Sequence, residues 1–282
     1  LTPFTTKEGI LKDERFKQIY GVEVEVLNEE VNNYGSGNEE LDKVIGEIIR
    51  GINTFIGGFA TGKSTLCKMY VMRAINIGDH VIYIDTENKV TKHRFKQMIE
   101  YYNIDEDKFS EKFHLIRVRR LDELIEKIEE IFTKEEWKEK RTNCLLIIDG
   151  FSTPYMEEFR TVSDKFELAS TKNSFFFYLE TYLTMNNTVC VVTIKLKSEL
   201  TIIDELKKRD EIKGNKEILQ DLMLFKHGQD MGYDSGMMLM FRKLKKKRFF
   251  TIEKHPYKKE YCDSEEKHYF KINDGGLELK DV

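Results

Sequence analysis

The sequence predicts an α/β fold: a mostly parallel central sheet flanked by helices, with antiparallel edge strands near the carboxyl end. Three observations carry this reading. Short apolar runs bounded by polar turns recur along the 282 residues. The early runs are nearly continuous in Val, Ile and Leu, as strands covered on both faces must be. Stretches of helix length with apolar spacing of three and four lie between them, and such alternation implies parallel strands joined by crossovers.

Taken in order, the expected strands are INTFIGG (52–58), HVIYID (80–85), FHLIRV (113–118), NCLLIID (143–149) and TVCVVTI (188–194). After them come GMMLMF (236–241), FFTIEK (249–254) and HYFKI (268–272). These last three follow one another closely and read as the antiparallel extension. A helix is expected through Leu66, Met69, Tyr70 and Arg73, and others over LDELIEKIEEIF (121–132) and FFFYLETYL (175–183). Residues 1–34 carry only a weak helical run and are expected to form an arm or linker, leaving 35–282 as the core. A long polar stretch, Leu196 to Asp234, separates two strands, and loops of that length usually serve a function or are disordered.

Composition narrows the function. A formal net charge of -4 leaves no global basic footprint, so any contact with nucleic acid must be local. Cys67, Cys144, Cys190 and Cys262 form no C-x-x-C pair and read as reduced thiols, and the six histidines show no metal-ligand spacing. No window resembles a membrane span and no signal pattern opens the chain, which points to a soluble intracellular protein: nuclear if eukaryotic, cytoplasmic otherwise.

GGFATGKST fits G-x-x-x-x-G-K-[ST] and sits where a strand gives way to a helix, the arrangement in which backbone N–H groups and a helix N-terminus hold an anion. Its residues Gly57, Gly58, Phe59, Ala60, Thr61, Gly62, Lys63, Ser64 and Thr65 are the expected nucleotide cradle. Lys63 would reach the β and γ phosphates, and the Ser64 hydroxyl would hold Mg²⁺. Asp149, at the tip of LLIID, supplies a hard oxygen for the same cation. In YIDTENKVTKHRF, Glu87 lies just past a strand, where it could orient or deprotonate the attacking water; a surface Glu at the start of the next helix is the other reading. Arg94, seven residues on, could stack on an adenine face.

These motifs, with YGSGNEELDKVIG before them and VCVVTIK and YFKINDGGLE after, resemble the RecA superfamily in order and spacing, and most closely the archaeal and eukaryotic recombinases with their RadB-like paralogues. The likeness spans Tyr34 to Glu278. It implies a RecA-like core that binds ATP and Mg²⁺, with Glu87 and Lys63 in catalysis, Ser64 and Asp149 at the metal, and Arg94 on adenine. It also implies a site closed by a neighbouring subunit, whose matching cap segment here is EKHP, ending at Pro256. PFTTKEG resembles the recombinase linker, where Phe4 would enter the adjacent protomer, although Lys7 stands where a small residue is expected.

Two departures bear on DNA. Recombinases close the fifth strand with T-N-Q, the glutamine sensing the γ phosphate; here Thr193 is followed by Ile194 and Lys195, so Lys195 takes that place. The stretch behind it is nearly neutral, a poor groove for single-stranded DNA. The DNA contacts implied are Lys197 in that stretch and Arg160 and Lys165 in the other family loop. RKLKKKR (242–248) is the clearest basic run, a solvated hairpin tip or a patch. The expected function is a DNA-dependent ATPase of recombination and repair, more a paralogue assisting a recombinase than the strand-exchange enzyme, with single-stranded DNA and a recombinase or a second copy as partners. A non-catalytic, ATP-dependent interaction module and a signalling or helicase-like ATPase stand as alternatives.

Overall fold

A computed structural model describes residues 33–161, 163, 165–195, 235–244, 246–256 and 266–280. All fall within one compact unit, Val31–Val282. Phe4, Lys197 and Cys262 lie outside the described residues.

Helix α1 (Glu39–Ile45) opens on Asn38, whose side chain accepts from the Leu41 N–H and so satisfies one of the free donors of the first turn. Strand β1 (Gly51–Gly57) runs into the glycine-rich loop, and α2 (Lys63–Ile77) starts directly from it. Strand β2 (His80–Asp85) is followed by α3 (Lys92–Tyr102), capped by Thr91, and by α4 (Glu106–Lys112), capped by Asp105. Then come β3 (Phe113–Arg117), the amphipathic α5 (Leu121–Thr133), a short 3₁₀ turn, and α6 (Lys138–Arg141). Strand β4 (Cys144–Asp149) leads to α7 (Ser152–Thr161) and α8 (Lys165–Met185), and β5 (Val189–Lys195) follows. The chain closes with β6 (Met237–Leu244), β7 (Lys247–Lys254), β8 (His268–Ile272) and β9 (Leu277–Leu279).

The nine strands form one sheet in the order β3-β2-β4-β5-β1-β6-β7-β8-β9. Alternate side chains of the central strands enter separate apolar layers. On one face, Phe55, Tyr83 and Ile147 pack with Leu66, Tyr70, Phe95 and Met98 of α2 and α3. On the other, Ile56, Ile84 and Ile148 pack with Leu124, Ile128, Tyr155 and Leu179 of α5, α7 and α8. Burial on both faces is why these strands show no polar alternation.

The mostly parallel sheet and its antiparallel tail match the sequence reading, with one adjustment. Strand β6 was expected to belong wholly to the antiparallel tail, but it pairs parallel with β1 and antiparallel with β7. The connection from β5 to β6, residues 196–236, is long enough for a parallel crossover, which no hairpin could make. Strand β9 was not among the expected runs. It pairs with β8 across a turn in which Asn273 accepts from the Gly276 N–H.

Candidate functional site

The carboxyl ends of β1, β2, β4 and β5 meet at one edge of the sheet, because β5 and β4 lie between β1 and β2 and all four run parallel. Ligands in open α/β sheets bind at this edge. The loop of Gly57 to Thr65 rises from its middle. Its path is sterically fixed: a Cβ on Gly57 would lie 2.1 Å from the Phe241 carbonyl oxygen of β6, and one on Gly62 would lie 3.0 Å from the Phe270 ring. Ala60 takes a left-handed φ of 55° and Gly62 a φ of 114°, which turns the chain sharply into α2. Ala60, Gly62, Lys63, Ser64, Thr65, Arg248 and Ile272 line a shallow cavity of about 200 Å³.

Lys63 donates from Nζ to the carbonyl oxygens of Gly57 and Gly58, at 2.7 and 2.9 Å. It is almost fully buried, and burial lowers its pKa to about 8 although Asp149 and Glu87 oppose that shift. It also donates to the Thr61 hydroxyl at 3.5 Å; three neutral oxygens are weak company for a buried ammonium, and an anion at the loop would satisfy it better.

Asp149 collects hydroxyl groups. Ser64 donates to its Oδ1 at 2.9 Å, Thr193 to the same oxygen at 2.7 Å, and Tyr83 to Oδ2 at 2.6 Å. A serine that gives its hydrogen to a carboxylate keeps its oxygen lone pairs for a cation, so the pair suits Mg²⁺. Among the described residues no group of three or more His, Cys, Asp or Glu could hold a metal ion. A hard cation here would take the rest of its shell from phosphate oxygens and water, as Mg²⁺ commonly does.

The two acids after β2 divide their tasks. Asp85 accepts from the backbone N–H groups of Glu87, Lys89 and Val90, at 3.2, 3.2 and 2.9 Å, and thereby folds the segment that carries Glu87. Thr86 ties that segment to the end of β4 by donating to the Asp149 and Gly150 carbonyls. Glu87 reaches back over the edge: Thr153 donates to its Oε1 at 3.0 Å, Lys89 donates to its Oε2 at 2.7 Å, and the Lys195 ammonium lies 3.8 Å from Oε1. Both ammonium groups also sit over the ring of Phe59, which is 69% exposed on the phosphate loop.

Arg94 lies on α3 and donates to the Asn273 carbonyl at 2.9 Å and to Gln97. That contact sets it beside the β8–β9 turn, next to Ile272 of the cavity wall. Pro256 is placed elsewhere. Strand β7 runs against β6, so its end at Lys254 is level with Met238 and with Thr54 of β1, and His255 is bonded to the Ile45 carbonyl. Within one chain Pro256 therefore stands toward the amino edge of the sheet, away from the phosphate loop. Arg160 is exposed in the last turn of α7, and Lys165 is the first residue of α8. Cys67, Cys144 and Cys190 are buried free thiols.

The sequence reading left Tyr83, Asp85, Lys89, Thr153, Thr193 and Arg248 without a role at the site. Thr193 carries a usable signal, a hydroxyl at the end of a continuous apolar strand, in register with Asp149. Thr153 carries none, and Arg248 shows only as the end of a basic run, since only the fold brings them to Glu87 and to Ala60.

The Rad51 family model matches residues 28–278. The DNA repair and recombination protein RadA of Ignicoccus hospitalis is 27% identical over 179 residues, 56% of this chain and 52% of that protein. RadB of Methanococcus maripaludis is 24% identical over 229 residues, covering 81% of this chain and 91% of that one. RadB of Pyrococcus furiosus is 32% identical over 125 residues, 44% of this chain and 52% of that one. The chain thus spans about half the length of the first and third of these relatives and most of the second. A crystal structure of the RadB recombinase superposes with a TM-score of 0.62 at 19% identity, over 88% of this chain and 100% of that one, a likeness of fold.

Proposed function

The chain belongs to the Rad51 family, and from that premise we propose that it is a RecA-type protein of DNA recombination and repair that binds Mg·ATP at the Gly57–Thr65 loop and hydrolyses it slowly. The observation that carries this reading is the convergence at one sheet edge of Lys63, the Ser64–Asp149 pair and Glu87. In it, backbone N–H groups at the start of α2 and Lys63 bind the β and γ phosphates. Bound Mg²⁺ supplies charge neutralisation on the phosphate oxygens. Ser64 and Asp149 hold that cation, Glu87 orients the attacking water and takes its proton, and Arg94 packs on the base. Lys195 lies close enough to Glu87 to report the γ phosphate as a point charge. Single-stranded DNA would be met by Arg160, Lys165 and Lys197, and a recombinase or a second copy by Phe4 and the segment ending at Pro256.

A second reading has its own support. Both Glu87 oxygens are already engaged, by Thr153, Lys89 and Lys195, which favours a protein that holds ATP to present surfaces to a partner rather than to turn it over rapidly. Calorimetry and turnover on three proteins separate the cases. Lys63→Ala should abolish nucleotide binding, and retained affinity would remove the loop from the site. Glu87→Gln should bind ATP as the parent does and lose at least about a hundredfold in turnover. Strong stimulation of the parent by single-stranded DNA supports an active ATPase, whereas tight binding with negligible turnover supports the presenting role.

A further inference from the structure

We infer that Arg248, in the basic run that ends the β6–β7 hairpin, is a second phosphate-binding cation of the site, directed at the α phosphate of the nucleotide. The inference rests on the ATP reading above. Its Nε donates to the Ala60 carbonyl at 3.0 Å, which fastens β7 to the apex of the phosphate loop. Among the described residues its two terminal nitrogens have no hydrogen-bond partner, and the side chain lines the same cavity as Gly62, Ser64 and Thr65. A guanidinium held by one nitrogen, on a side chain that lines a cavity beside the first turn of a helix, is prearranged for a second, charge-assisted contact.

Strand order says which phosphate this is. From the loop after β1, the sheet carries β5 and β4 on one side and β6 and β7 on the other. Asp149, Glu87 and Lys195 occupy the first side, where the γ phosphate and the metal belong. Arg248 occupies the second, with Ile272 and, through Asn273, Arg94. A polyphosphate lying along the loop with its γ end at Glu87 turns its nucleoside end toward Arg248. Lys63 and Arg248 therefore grip opposite ends of the chain of phosphates.

The test is Arg248→Gln, with ADP and ATP binding measured by calorimetry in Mg²⁺ and the bound ADP examined by ³¹P NMR. Loss of one charge-assisted contact predicts a drop in affinity on the order of tenfold, equal for ADP and ATP because both carry the α phosphate. The α-phosphorus resonance of bound ADP should move relative to the parent complex while the β resonance holds its place. Unchanged ADP affinity, or a loss confined to ATP, overturns the assignment. Thermal unfolding of the nucleotide-free variant reads its fold separately, and if Arg248→Gln does not fold, Arg248→Lys takes the same measurements with the same expected displacement of the α resonance. A parent protein that binds no nucleotide refutes the ATP reading itself, a different result from a parent that binds and a variant that is indifferent.

Discussion

The Lys63 ammonium is held where burial works against its charge. Its pKa in the folded chain lies at about 8, below the ordinary lysine value, because desolvation disfavours the charged form. Between those two values the unfolded chain binds more protons than the folded one, so the stability of the free protein rises with pH across that window. A phosphate at the loop favours the charged form and pushes the pKa back up. Nucleotide binding should therefore take up a proton near this pH, and affinity should fall by up to about tenfold as pH rises from about 7 to about 9. Calorimetry in two buffers of different ionisation enthalpy measures the uptake directly. An affinity flat across that range would show that Lys63 does not meet the phosphates. At this scale the sequence was informative about residues that act alone and silent about those that act through others. Lys63, Ser64 and Glu87 announce themselves by motif, but Asp85 shows its purpose only once its carboxylate is seen to gather three backbone N–H groups.

Among the elements, β1 and its glycine-rich exit depend on a close approach that strand pairing dictates. Gly57 is in register with Phe241, and the missing Cβ is what allows the β6 backbone to lie alongside. Gly57→Ala must displace a main-chain carbonyl and also adopt a φ of 155°, so we expect a loss of about 3 kcal/mol or more in denaturant unfolding. A midpoint equal to that of the parent would contradict the packing described for β1 and β6. Strands β2 and β8 were legible to the residue, and α5 to within one residue at its carboxyl end, because each has a clean apolar pattern between polar turns. The direction of β6 was not legible: a half-buried strand has the same side-chain pattern whether its neighbour runs with it or against it. Strand β9, with three residues, is too short for any period to appear.

For the whole molecule, the phosphate loop leaves the carboxyl end of β1, whereas β7 runs away from that edge and ends level with the middle of β1, two residues before Pro256. If the segment ending at Pro256 closes a nucleotide site, it closes that of another copy or of a related chain. ATP turnover per chain should then rise with protein concentration and fall when the chain is diluted below its association range. Specific activity independent of concentration over about a hundredfold range would assign closure to the chain's own residues. The site as a set was partly readable from sequence, since the motifs at Lys63, Glu87 and Asp149 appear in order. Their meeting point follows from strand order, whereas Thr153 arrives on the first turn of α7 and Arg248 on the other side of the loop from β7. If Pro256 does close a neighbour's site, the chain has a polarity, one end that offers a socket and one that offers a plug. A row of n such chains contains n − 1 joined pairs, and only a closed ring contains n. Activity per chain would thus count the ends of the assembly, so that breaking one long row into many short ones lowers the total without altering a single active residue.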